Sequence, residues 1–175
     1  MILRLYIIFL FILFPYKSYA ETTLRMANWL PPTHPWVLDI MIPWIKNVYE
    51  ASEGRVKIVL LEAPIGPPPA HFNFAVKGIA DITYGVHNYT TGRFTSSQIA
   101  ELPFLSKSSE ILSVAWQRIY QRELLSLEEH KGTHLLGVYT HGPGQLWLNK
   151  KYTTLESIQG LKIRIGGGIA QSSAK

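Results

Sequence analysis

Arg55-Val56-Lys57-Ile58-Val59-Leu60, running into Ala63-Pro64-Ile65-Gly66-Pro67-Pro68-Pro69, sets Val56, Ile58 and Leu60 against Arg55, Lys57 and Val59 and then breaks on prolines. That pattern predicts a strand with one face on a core and a loop at its carboxyl end. On its N-terminal side Val37, Ile40, Met41, Trp44, Ile45 and Val48 recur at helical spacing, with Gly54 at the C-terminal cap, which predicts a helix over 36–52. Pro43 lies inside it and should kink or restart it, because proline has no N–H and clashes with the preceding turn. Further back, Leu24 to Asn28 alternates and meets the loop Trp29-Leu30-Pro31-Pro32-Thr33-His34-Pro35, so it reads as an earlier strand. On the C-terminal side Phe72, Ala75, Val76 and Ile79 have helical spacing, and Asp81 to Tyr84 reads as a short buried strand. The order β-α-β-α-β predicts an α/β fold: an open, mainly parallel sheet with right-handed crossovers, whose ligands bind beyond the strands' carboxyl ends.

The pattern continues with Ser108 as a polar cap before Ile111, Leu112, Ala115, Trp116, Ile119 and Tyr120, the apolar side of a helix reaching about Leu127. Leu135 to Thr140 and Gln145 to Leu148 read as strands on either side of His141-Gly142-Pro143-Gly144, the expected domain crossing. Thr153 and Glu156 read as a capping-box pair for a short helix ending at Gly160, and Leu161 to Ile165 as a last strand.

The first twenty residues consist of a basic start (Arg4), the apolar run Leu5 to Phe14, and Ser18-Tyr19-Ala20 with small residues three and one before the break. This is the layout of a cleaved secretory signal, and its apolar core is about half the roughly twenty residues needed to span a bilayer. The chain has no cysteine, which excludes a disulfide scaffold, a thiolate nucleophile, a Cys-ligated metal and a lipobox. With 47% hydrophobic residues an apolar core can supply the stability instead. Without Arg4 and Lys17, 15 basic residues face 12 acidic ones, a net +3 that is scattered apart from Lys150-Lys151. Such a distribution offers nucleic acid no basic stripe but suits anionic ligands.

Arg164 carries the clearest chemistry. Strand alternation puts it with Lys162 opposite Leu161, Ile163 and Ile165, and it abuts Gly166-Gly167-Gly168, where missing side chains let a ligand approach, so Gly167 joins it as a candidate. A guanidinium there can grip a carboxylate through two parallel bonds, although a solvated surface arginine satisfies the same pattern. His87 and Tyr89, after the Asp81 to Tyr84 segment, and Asn28 and Trp29, after the first strand, stand at carboxyl ends facing the expected cleft. Ordinary loop packing accounts for these four equally well. His130 and His134 are four apart but flank Gly132 without a carboxylate motif, so they read as helix-end surface residues rather than zinc ligands. The glycine triplet lacks the Gly-Lys-Ser/Thr of a phosphate loop, and no Gly-x-Ser-x-Gly elbow occurs, so neither a cofactor nor a catalytic set is expected.

Ser157-Ile158-Gln159-Gly160-Leu161-Lys162-Ile163-Arg164, preceded by His141-Gly142-Pro143-Gly144, resembles the segment that delivers the carboxylate-binding arginine in DctP-type solute-binding proteins of tripartite ATP-independent periplasmic (TRAP) transporters. Phe74-Ala75-Val76-Lys77-Gly78-Ile79-Ala80-Asp81-Ile82, Gly92-Arg93-Phe94 and Glu101-Leu102-Pro103-Phe104 resemble further family segments, in order, between about residues 23 and 170. The resemblance implies a periplasmic-binding-protein-like fold with a signal peptide at 1–20, a first α/β lobe at 21–142, and a crossing with the start of a second lobe at 143–175, that lobe being largely missing. It implies a periplasmic, non-enzymatic receptor that captures a small organic acid at Arg164 and delivers it to the membrane subunits of a TRAP transporter. No second arginine stands near Gly144, where sialic-acid-binding members carry one, which argues against that ligand. The rival readings are a non-functional truncated product and a secreted hydrolase using a histidine with Glu62 or Asp81.

Overall fold

A computed structural model of the chain describes residues 20–90, 92–154 and 156–165. The expected signal sequence, apart from Ala20, and Gly167 with the rest of its triplet lie outside the described residues.

Strands β1 (Thr22–Met26) and β2 (Val56–Leu60) pair in parallel, Thr22 opposite Val56 through Met26 opposite Leu60. Ile82 joins the other edge of β1 by a parallel bridge to Met26, with Ala27 N–H donating to the Ile82 carbonyl (2.9 Å) and Ile82 N–H to the Arg25 carbonyl (3.0 Å). β1 is therefore central, and the β-α-β-α-β order is realised. The expected strand at 81–84 shortens to this single bridge. The Asp81 carboxylate accepts the Arg25 N–H at 2.7 Å, so that amide is spent on a side chain instead of extending the ladder.

Pro43 falls where the helix changes from a π turn to an α-helix. The chain enters through a π-helical turn, Trp36–Met41, whose wide spacing lets the Ile42 N–H reach back to the Val37 carbonyl, and α1 (Ile42–Ala51) begins with the proline in its first turn, where a missing N–H costs nothing. Gly54, at φ +77°, closes the far end with its N–H on the Tyr49 carbonyl (2.9 Å). Val37 and Met41 from the π turn meet Met26 and Ile58 from the sheet in a buried cluster, and Trp44, Ile45 and Val48 of α1 pack against it. Alternation along β2 explains the choice of side: Ile58 is 7% exposed and its neighbour Val59 39%.

After the Pro-rich loop and a 3-10 turn (Pro68–Ala70) comes α2 (His71–Val76), which stops before Ile79. α3 (Ser109–Ile119) is capped by the Ser108 hydroxyl, which accepts the Ile111 N–H at 3.3 Å, and continues through a π turn (Tyr120–Leu124) and a 3-10 turn (Leu125–Leu127). Glu128, at φ +54°, ends it. Trp116, Tyr120 and Val138 form a second buried cluster.

The strands expected at 135–140, 145–148 and 161–165 do not form among the described residues. In the first of them the backbone bonds instead to α3 side chains: Val138 N–H donates to Gln117 Oε1 (2.6 Å) and Thr140 N–H to Ser113 Oγ (2.9 Å). Those alternate amides have the spacing of a strand edge, with polar side chains standing in for a neighbouring strand. The short helix is a 3-10 turn, Glu156–Ile158, and its cap hydroxyl belongs to Thr154, which accepts the Ser157 N–H at 3.3 Å, not to Thr153 as expected.

Candidate functional site

The carboxyl end of β1 is fixed by one side chain. Asn28 is buried, and its amide closes a local turn: Nδ2 donates to the Leu30 carbonyl (2.9 Å) while Oδ1 accepts the Leu30 N–H (2.9 Å). Oδ1 also accepts the Tyr84 hydroxyl at 2.7 Å, tying the third strand segment to the first. Asparagine suits this position because its short amide presents donor and acceptor together. Burial pushes the Tyr84 phenol far above its ordinary value, so it remains a neutral donor.

With its hydroxyl held, the Tyr84 ring stacks on Trp29 at 3.9 Å between centroids and 23° between planes. His71, the first residue of α2, meets Trp29 edge-on at 4.5 Å. Its side chain has no exposed surface, and neither ring nitrogen has a hydrogen-bond partner. Burial lowers its pKa; the Gly66 backbone pulls the other way without reaching hydrogen-bond geometry. Near this group Trp36 and Tyr139 approach each other at 5.3 Å. The result is an aromatic wall built from the ends of β1, the Ile82 segment and the start of α2.

His87 belongs to a second cluster. It stacks on Phe94 at 4.2 Å and 12°, its Nδ1 bonds Ser97 Oγ, and its Nε2 meets Nε2 of His130 at 3.2 Å. His130 Nδ1 in turn bonds the Tyr120 hydroxyl at 2.8 Å. The Nε2 contact needs one proton between the two rings, so two neutral tautomer arrangements satisfy the whole chain. Burial, and then the neighbouring His130, hold the His87 pKa down at about 4, with Glu129 opposing; burial also lowers that of His130. Beside this cluster Glu129 is buried, and hydrogen bonds from Ser96 and Thr95 outweigh its burial and keep its carboxyl below the usual range. A depression of about 500 Å³ here includes Arg93, whose guanidinium is already committed to the carbonyls of Glu129 (2.7 Å) and Lys131 (2.6 Å) and lies 4.3 Å over the Phe72 ring. That arginine ties two loops together and is not positioned as an anion receptor.

Of the residues singled out from sequence, Asn28 and Trp29 come together at the wall. His87 and Tyr89 share a 3-10 turn, His87 facing the other cluster. Arg164 is exposed, and no carboxylate among the described residues pairs with it. His130 is not the surface residue expected, because it turns inward to His87 and Tyr120, while His134 stays exposed. His71 and Tyr84 were missed as site residues. The signal available was their position, one at the end of the Pro-rich loop after β2 and the other at the end of a strand segment.

The model of the bacterial extracellular solute-binding proteins, family 7, known as DctP, matches residues 26–174. The chain belongs to that family. Among solved structures, this DctP chain is similar to a TRAP periplasmic solute-binding protein from Bordetella bronchiseptica with bound (R)- and (S)-mandelate, at 39% identity and a TM-score of 0.82, covering 88% of this chain and 49% of that one. A TRAP solute-binding protein from Rhodoferax ferrireducens in complex with copurified benzoate is 29% identical, with a TM-score of 0.65 over 70% of this chain and 38% of that one. A marine-metagenome TRAP protein specific for aromatic acid ligands, with 3-hydroxybenzoate, is 28% identical, with a TM-score of 0.64 over 71% and 39%. Among curated proteins, the outer membrane transporter protein TsaT of Comamonas testosteroni is 28% identical over 151 residues, 85% of this chain and 45% of that one. The DctP chain therefore spans about half the length of these relatives. The family consists of substrate-binding proteins of transporters, not enzymes, which removes the hydrolase reading.

Proposed function

We propose that this chain is the solute-capturing part of a periplasmic TRAP system and that its ligand is a small aromatic carboxylate. The observation that carries this reading is the Trp29–Tyr84 stack at the carboxyl end of β1, held by the buried Asn28. A flat π surface pinned at its polar edge gives a ligand ring offset or edge-on packing without ordering a loose side chain first. The mandelate, benzoate and 3-hydroxybenzoate of the three relatives are ligands of that class.

In this proposal Arg164 supplies the cation, its exposed guanidinium forming two parallel bonds to the carboxylate, with Gly167 a further candidate from its place in the sequence. Tyr89 is a further candidate for the ligand's surroundings. Cleavage after Ala20 would deliver the protein to the periplasm, and membrane subunits of the transporter would receive the ligand; family membership supports both.

Ligand-observed NMR, which reads weak as well as tight binding, tests the proposal. Benzoate and mandelate should show saturable contact with the chain, and an aliphatic acid such as acetate much less. Arg164→Ala should weaken binding, since the carboxylate loses its charged partner, and Arg164→Lys should restore only part. Equal signals from all three acids, or full affinity in Arg164→Ala, would overturn it.

A further inference from the structure

His71 is the least explained polar side chain among the described residues. It has no exposed surface, both ring nitrogens lack a partner, and Trp29, Phe74 and Tyr84 surround it at ring-centroid distances of 4.5, 5.3 and 6.3 Å. Buried polar atoms are almost always paired, and an unpaired one is costly. A phenylalanine or leucine in this aromatic nest would avoid that cost, so packing alone does not explain a histidine. The half-buried histidine pair behaves differently: His87 and His130 have a partner at every ring nitrogen.

The placement explains the difference. His71 opens α2, directly after the 3-10 turn that ends the loop from β2, and touches Trp29, the middle residue of the Asn28–Leu30 turn that follows β1. It thus lies against the proposed aromatic wall, at the strand ends where ligands of such sheets bind. Trp29, which meets the imidazole edge-on, is only half-buried, so the ring that covers His71 itself reaches the surface. A neutral imidazole presents a donor at one ring nitrogen and an acceptor at the other, and a hydroxyl can answer either, whereas an ionised carboxylate only accepts.

We infer that His71 is a specificity residue of the ligand site, pairing with a second polar group on the ligand and so favouring hydroxylated aromatic acids over unsubstituted ones. The inference rests on the aromatic-carboxylate reading above. It adds a recognition point on the side of the wall formed by α2 and assigns one of the two orphan nitrogens to the ligand's hydroxyl. A site built to hydrogen-bond a hydroxyl discriminates strongly against the analogue lacking it.

The test compares 3-hydroxybenzoate with benzoate on the 175-residue chain and on His71→Leu and His71→Gln, by ligand-observed NMR titration with melting temperatures in parallel. The unsubstituted chain should prefer 3-hydroxybenzoate by about tenfold or more. His71→Leu should abolish that preference, bringing the two acids to about equal affinity, and melt at the same temperature or higher, because an unpaired buried polar group has been removed. His71→Gln, which keeps a donor and an acceptor, should recover part of the preference. Because the readout is a ratio on one protein, a variant that loses stability still reports. Both affinities falling together, or a ratio unchanged by His71→Leu, would overturn the role of His71 while leaving the carboxylate reading standing. Binding of neither acid to the unsubstituted chain would overturn both.

Discussion

Asn28 completes three hydrogen bonds through one amide: two close the turn after β1, and the third anchors the ring that Trp29 stacks on. Asn28→Ala should leave the Leu30 backbone groups and the Tyr84 hydroxyl without partners, costing about 1–3 kcal/mol. Tyr84→Phe removes a single bond and keeps the ring, so about 1 kcal/mol is expected. Urea unfolding of the two variants checks the order, and Tyr84→Phe proving the more damaging would show that the turn does not depend on Asn28. At this scale the sequence was half legible. Asn28 and Trp29 could be singled out because they directly follow an alternating strand, a local signal. The Asn28 bond to Tyr84 spans 56 positions and the contact between His87 and His130 spans 43, and no spacing rule reaches that far. His130 was misread for the same reason: beside Gly132 it has the marks of a helix end, and its burial comes from a loop distant in sequence.

Elements were legible where their signal was local. β1, β2, the caps at Gly54 and Ser108 and the change of helix type at Pro43 all follow from nearest-neighbour chemistry. The 3.3 Å bond from Ile111 N–H to the Ser108 hydroxyl satisfies one of the four amides a helix start leaves open. Ser108→Ala should therefore destabilise the chain by about 1 kcal/mol, and Ser108→Asp, which also accepts and favours the helix dipole, should restore most of it. Thermal melts of the three proteins decide this, and an unchanged Ser108→Ala would mean that α3 is held by its apolar face alone. The strands at 135–140, 145–148 and 161–165 were illegible for a different reason. Alternation reports which face a segment would bury, but a strand exists only with a neighbour to bond to. Here Trp147 is 88% exposed and Leu136 64%, while Val138 is 7% exposed, so the apolar positions announced by the sequence are covered only in part among the described residues.

Across the whole molecule, two adjacent residues of α2 face separate aromatic clusters: His71 lies against Trp29 and Tyr84, and Phe72 against Phe94, His130 and the Arg93 guanidinium. Three histidines are held neutral in these clusters, and burial is the largest cause in each: His71, His87 at about 4, and His130. His87 faces His130 and Glu129, and His130 faces Tyr120, Glu129 and Arg93. Each folded-state pKa lies below the ordinary 6.5, so below pH 6.5 the unfolded chain binds protons that the folded chain refuses. Stability should thus be insensitive to these groups above pH 6.5, fall as the pH drops below it, and level off for His87 near pH 4, where the folded state takes up that proton too. For His87 alone, the distance from 6.5 to about 4 corresponds to roughly 3 kcal/mol, a large share of the 5–15 kcal/mol that stabilises a typical domain. Glu129 acts lower on the scale: its carboxyl is held below the usual range, so its contribution is present above that range and is lost as the pH falls through its own folded value. Urea midpoints measured from pH 4 to pH 8 should therefore be flat at the top and fall steeply toward the bottom. His87→Gln keeps hydrogen-bonding capacity but cannot titrate, and it should remove up to about 1.4 kcal/mol per pH unit from the slope between pH 6.5 and 4 without altering the plateau's flatness. Identical slopes in the two proteins would show that His87 is not held neutral and that the stack on Phe94 admits a charged ring.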